Sequence, residues 1–142
     1  MNRPKSHIER LRTSGLRPTK QRLSISKILF DRKETFHFTI DKLKKITEKN
    51  SKKNISLATI YNTVHAFRKR GYLKEISLKG NKTYFDTNTT NHHHFYDEDT
   101  SELIDIKNEN VLLSNLPKVP GGKKIKEIDV TIRVASNNQK QK

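Results

Sequence analysis

Cysteine is absent from this 142-residue chain. That excludes disulfides, thiolate zinc sites, iron–sulfur clusters and cysteine nucleophiles, and it suits a cytoplasmic protein. Apolar residues are scarce, at 31% of the chain. No apolar run approaches the roughly 20 residues of a membrane-spanning helix, so no membrane partner is expected. Met1-Asn2-Arg3-Pro4-Lys5 has no apolar segment behind it, so a secretory signal is not expected. There is no glycine-rich phosphate loop, no nucleophile elbow and no His-Glu-x-x-His helix, which leaves catalysis without support.

Acidic residues are also few: 15 Asp and Glu stand against 30 Lys and Arg, a formal charge of +15. Such an excess points to a polyanionic partner. Residues 1–86 carry 22 basic and 7 acidic side chains, whereas residues 87–142 carry 8 of each. The whole excess therefore lies in the first part, as in a chain whose leading domain grips nucleic acid. A solvated basic face or a polybasic membrane patch would have the same composition. The 21 Lys to 9 Arg also fit an AT-rich genome.

Ile8 and Leu11 mark a short helix that Gly15 can end. Thr19 caps a second helix through Leu23, Ile25, Ile28 and Leu29, and Thr39 caps a third through Ile40, Leu43 and Ile46. Lys49 to Asn54 reads as a polar loop. Ser56 caps a fourth helix running to Arg70, and Gly71 closes it as a left-handed cap. At about 100° per residue, Ile60, Val64 and Phe67 share one face of that helix. Ala58, Asn62, His65 and Lys69 share the opposite face, with Tyr61 at its edge. Such a stripe of hydrogen-bonding groups suits a groove-reading helix, though an ordinary solvated face has the same pattern. Tyr72–Ile76 and Thr83–Phe85 read as strands joined by the basic turn Leu78-Lys79-Gly80-Asn81-Lys82. The sum is a winged helix-turn-helix, with Lys79 and Lys82 on the wing facing phosphate.

The second part reads as a small α/β unit. His92–Tyr96, Glu102–Ile106 and Ile128–Val134 are strand candidates, and Asn110–Leu116 predicts a brief helix stopped by Pro117. Pro120-Gly121-Gly122 is a turn. So little structure buries little area, which favours a homodimer. Ser136–Lys142 is expected to be a disordered tail. The expected fold class is therefore α+β, with a DNA-binding domain over residues 1–86 and a dimerisation and effector-sensing domain over residues 87–142.

His92-His93-His94 is the sharpest local feature. On a strand, His92 and His94 point one way and His93 the other. Imidazoles ligate zinc, iron or haem iron, and neighbouring carboxylates can join them. Asp86, the Asp97-Glu98-Asp99 cluster and His37, just before the third helix, are the candidates. A solvent-facing polar strand is the plainer alternative.

Three motifs together carry a likeness. Gly15-Leu16-Arg17-Pro18-Thr19-Lys20-Gln21-Arg22, Leu57-Ala58-Thr59-Ile60-Tyr61-Asn62-Thr63-Val64, and the histidine cluster after Phe85-Asp86 resemble the ferric uptake regulator superfamily. The likeness covers about residues 10–134. It implies a dimeric, metal-responsive repressor with an N-terminal winged helix and a C-terminal α/β dimerisation domain. Asn62 after the tyrosine, Phe95 after the histidines and the missing Cys-x-x-Cys pairs look most like the iron response regulator branch. That branch implies a repressor of haem-synthesis and iron-handling genes with haem as effector; otherwise the effector is divalent iron, manganese or zinc.

By position, the resemblance assigns His37, Asp86 and His93 to the family's regulatory metal site and His92 to its second site. His94 falls where the family usually has aspartate. Together His92, His93 and His94 make a candidate haem-contacting cluster. Tyr61 matches a thymine-contacting tyrosine, and Asn62 is placed to bond adenine in A·T-rich operator DNA. Arg17, Lys20 and Arg22 match the basic start of the second helix. Thr59, His65 and Lys69 complete the candidate DNA contacts. Three readings remain open besides this one: a divalent-metal or peroxide sensor of another branch, a non-specific nucleic-acid-binding protein, and a metal-dependent hydrolase built on Asp86, His92 and His94.

Overall fold

A computed structural model describes residues 6–50, 54–80 and 82–137. The expected tail beyond Asn137, the middle of the Lys49–Asn54 loop and Asn81 of the wing turn lie outside the described residues. The chain divides into two compact units, Met1–Thr89 and Thr90–Lys142.

The first unit holds four helices: α1 (His7–Thr13), α2 (Lys20–Phe30), α3 (Ile40–Asn50) and α4 (Leu57–Arg70). Each begins at a side-chain cap. The hydroxyl oxygens of Ser6, Thr19, Thr39 and Ser56 accept the main-chain N–H of Glu9, Arg22, Lys42 and Thr59. These bonds satisfy donors that the first helical turn leaves open. Gly71 ends α4 at φ +97°, a conformation that costs a side-chain-bearing residue energy.

Strands β1 (His37–Phe38), β2 (Lys74–Leu78) and β3 (Lys82–Asp86) form an antiparallel sheet in the order β1-β3-β2. The expected wing hairpin therefore exists, its strands one or two residues longer or later than expected. Strand β1 was not foreseen. Two residues carry no alternation, and β1 exists only because β3 pairs with it, His37 opposite Asp86 and Phe38 opposite Phe85.

The core of this unit is Leu11, Ile25, Leu29, Phe38, Leu43, Ile55, Ile60, Val64, Phe67, Leu73 and Phe85. Ile60, Val64 and Phe67 are fully buried, so α4 packs by its apolar stripe and shows its other side to solvent. His7 ties α1 to α2, with Nδ1 2.7 Å from Ser26 Oγ and Nε2 2.9 Å from Asp31 Oδ1. Burial lowers the pKa of the Arg10 guanidinium, against the opposing pull of Tyr72 and Asp31. That cation lies 4.0 Å over the Phe30 ring.

The second unit is a sheet of β4 (His92–Asp97), β5 (Glu102–Lys107) and β6 (Thr131–Val134), in the order β5-β4-β6. β4 runs antiparallel to β5 and parallel to β6. The helix expected at Asn110–Leu116 is not there: a single 3-10 turn covers Asn108–Asn110 instead. Its leucines have helical spacing but bury little: Leu112, Leu113 and Leu116 are 46–92% exposed. So short a helix is marginal in water without a packed face. The third strand begins at Thr131, later than Ile128, and Ile128 and Ile132 remain exposed. No helix among the described residues is long and apolar enough to cross a membrane.

Candidate metal and nucleic-acid sites

Alternation along β4 sends His92 and His94 to one face. Their rings lie 4.5 Å apart. Their Nε2 atoms lie 3.5 and 3.3 Å from Oδ1 of Asp105 on β5. Asp105 is directly opposite His94 in the antiparallel register. Sequence reading passed over Asp105. The signal was the hairpin itself, because pairing Asp97 with Glu102 brings His94 opposite Asp105.

The hydrogen positions on these rings follow from their main-chain partners. Nδ1 of His92 lies 2.7 Å from the Thr90 carbonyl oxygen. A carbonyl only accepts, so Nδ1 carries the hydrogen and Nε2 of the neutral ring presents a lone pair. That lone pair and the Asp105 carboxylate are both acceptors. A proton or a cation between them satisfies both. Metal-binding histidines are commonly held this way by their second nitrogen.

His93 stands apart from this set. The Val130 N–H donates to its Nδ1 at 3.0 Å. The hydrogen of the neutral ring therefore sits on Nε2, and His93 offers a metal no lone pair while that bond stands. The three contiguous histidines are thus not one cluster. Alternation turns His93 to the opposite face, where Val130 holds it.

The first unit holds a second imidazole–carboxylate pair. Nε2 of His37 lies 3.2 Å from Oδ2 of Asp86. The other carboxylate oxygen accepts the Asn88 N–H at 2.9 Å, and Asp86 is fully buried. Both donor sets combine imidazole nitrogen with carboxylate oxygen, which suits divalent manganese, iron or zinc. Without cysteine, a closed thiolate zinc site is out of reach.

Three basic residues of the first unit share one cleft. Arg17, Lys20, Arg22 and Thr59 line a single open cleft of about 670 Å³, together with Thr19 and Gln21. The Arg22 guanidinium donates to the Arg17 carbonyl at 3.1 Å, which fixes the loop before α2. Gln21 had no signal in the sequence beyond its place in the motif. On α4, Tyr61 is 52% exposed, and Asn62 and Lys69 are also exposed. Lys79 and Lys82 are exposed at the β2–β3 turn. His65 differs from its expected placement. It is half-buried, with its ring 4.1 Å from Tyr61 and edge-on to Phe85 at 5.7 Å.

The sequence profile of the ferric uptake regulator family matches residues 13–134. The peroxide-responsive repressor PerR of Staphylococcus aureus strain Mu50 is 34% identical over 100 residues, which span 70% of this chain and 66% of the repressor. Among solved structures, the ferric uptake regulator of Pseudomonas aeruginosa with manganese superposes with a TM-score of 0.67 at 20% identity, over 94% of this chain and all of that one. The Vibrio cholerae ferric uptake regulator has a TM-score of 0.67 at 22% identity, over 91% and 98% of the two chains.

Proposed function

This chain belongs to the ferric uptake regulator family, and from that premise we propose that it is a metal-responsive regulator of transcription that binds A·T-rich duplex DNA as a homodimer. The observation that carries the metal part is the His92 tautomer, with an Nε2 lone pair turned toward Asp105. His94 and Asp105 are the other candidate ligands of the second unit, and His37 and Asp86 are those of the first. The effector on this reading is a divalent ion. A carboxylate oxygen 3.5 and 3.3 Å from two imidazole nitrogens suits a small divalent cation. On this reading the chain is a divalent-metal sensor, the effector class for which the site offers donors. The relative at 34% identity is a peroxide-responsive repressor, which favours a peroxide-linked response.

The DNA part rests on the charge split and on exposed basic and hydrogen-bonding side chains of the first unit. Arg17, Lys20 and Arg22 meet phosphate, Tyr61 and Asn62 reach base edges, and Lys79 and Lys82 hold the backbone from the wing. The dimer rests on apolar exposure in the second unit, where Ile104, Leu112, Ile125 and Ile132 are 41–92% exposed. So much bare apolar surface on so small a unit calls for a second copy to cover it. No residue is assigned a catalytic role.

Selection of duplexes from a random pool tests the reading, run on metal-free and manganese-loaded protein. The expected result is a partly palindromic A·T-rich site, recovered only with metal. Ferrous protein should release that site on adding peroxide, because ferrous iron reduces peroxide readily. Equal affinity for all duplexes, with or without metal, would show a non-specific nucleic-acid binder instead.

A further inference from the structure

Four aromatic rings lie in succession in the first unit, and they join its imidazole–carboxylate pair to its reading helix. Phe38 and Phe85 are stacked across β1 and β3 at 5.6 Å. Each is the chain neighbour of a candidate ligand: Phe38 follows His37, and Phe85 precedes Asp86. Phe85 meets the edge of His65 at 5.7 Å, with the ring planes 86° apart. His65 in turn lies 4.1 Å from Tyr61. Tyr61 and His65 are four residues apart on α4, so they sit on adjacent turns of one face.

We propose that His65 is a positioning residue: it holds the Tyr61 ring in one pose and carries the state of the His37–Asp86 pair to it. The regulatory half of this inference rests on the metal-responsive reading above. An exposed tyrosine turns freely about its side-chain torsions, and binding must then freeze it. A half-buried imidazole against its face limits that freedom before DNA arrives. The imidazole is itself seated on Phe85, whose strand carries Asp86. His37 on β1 and Asp86 on β3 would hold a metal together, and any adjustment they make to it would act on the paired strands where Phe38 and Phe85 stack. Packed rings pass on such an adjustment because a close-packed interior cannot absorb it locally. The reading helix has an inward face of Ile60, Val64 and Phe67 that is fully buried, so the response falls on the rings and leaves the helix backbone in place.

Zinc titration followed by NMR of the tyrosine ring resonances tests this in the full chain. Zinc is diamagnetic, and only four tyrosines need assignment. In the native protein the Tyr61 ring signals should shift and saturate with zinc. Asp86→Asn and His65→Ala should each abolish the shift, while His65→Ala keeps its zinc affinity. His65→Phe, which restores a flat ring, should restore the shift. The proposal is overturned if native Tyr61 does not respond, or if it responds equally in His65→Ala or Asp86→Asn. The readout needs no DNA. A Tyr61 response in a protein that ignores operator DNA would sink the regulator reading and leave this coupling standing.

Discussion

The carbonyl oxygen of Thr90 lies 2.7 Å from Nδ1 of His92 and places the neutral ring's hydrogen on that nitrogen. Across the same strand, the Val130 N–H reaches Nδ1 of His93 and dictates the opposite outcome. Two adjacent histidines are thereby given opposite chemistry by main-chain groups alone.

Manganese titration calorimetry reads that difference directly. His92→Gln, His94→Gln and Asp105→Asn should each weaken binding by about tenfold or more, the scale seen even for groups one step removed from a metal. His93→Gln should leave affinity unchanged. If His93→Gln weakens manganese as much as His92→Gln does, the tautomer argument fails.

On DNA, the wing and the reading helix should separate cleanly. Lys79→Ala should weaken every duplex alike and lower the salt slope by about 1. Tyr61→Ala should instead relax discrimination, costing about 1–3 kcal/mol at one base pair. Fluorescence anisotropy over a salt series, on operator and scrambled duplexes, measures both. A Tyr61→Ala protein with intact preference would remove Tyr61 from the readout.

Gly71→Ala should destabilise the first unit by about 1–2 kcal/mol. The cost is conformational, since an added Cβ meets nothing within 4 Å. Guanidinium unfolding should show a lower midpoint at unchanged slope. An unchanged midpoint would mean that the α4 end tolerates another backbone geometry.

Phe67→Ala should cost about 3–5 kcal/mol, the range for a fully buried phenylalanine. Its ring is wholly covered and meets Phe30 and Tyr72 edge-on at 5.4 and 6.2 Å. Thermal unfolding followed by far-ultraviolet circular dichroism checks the loss. A cost below about 1 kcal/mol would indicate that neighbouring side chains refill the space.

The first unit was largely legible because its signals are local. Thr19, Thr39 and Ser56 stand where their helices begin, and the α4 stripe of Ile60, Val64 and Phe67 needs only helical geometry to interpret. What escaped is pairwise. Strand β1 is two residues long and exists through its partner β3. Asp105 becomes a ligand candidate only through hairpin register. His65 counted as a groove-facing side chain until Phe85, 20 positions along, was found against it. Residues 110–116 differ for the converse reason: leucine spacing announces a helix, but a short helix needs a packed face, and Leu112, Leu113 and Leu116 stay 46–92% exposed.

The parallel seating of β6 beside β4 also sets an order of events in the cell. Val130 and His93 are separated by 37 positions, and ribosomes add about 5–20 residues per second. For a few seconds, therefore, a nascent β4–β5 hairpin shows an unfilled flank before its own last strand emerges. Neighbouring ribosomes on one message would present identical flanks to identical strands, so dense translation invites strand exchange between siblings.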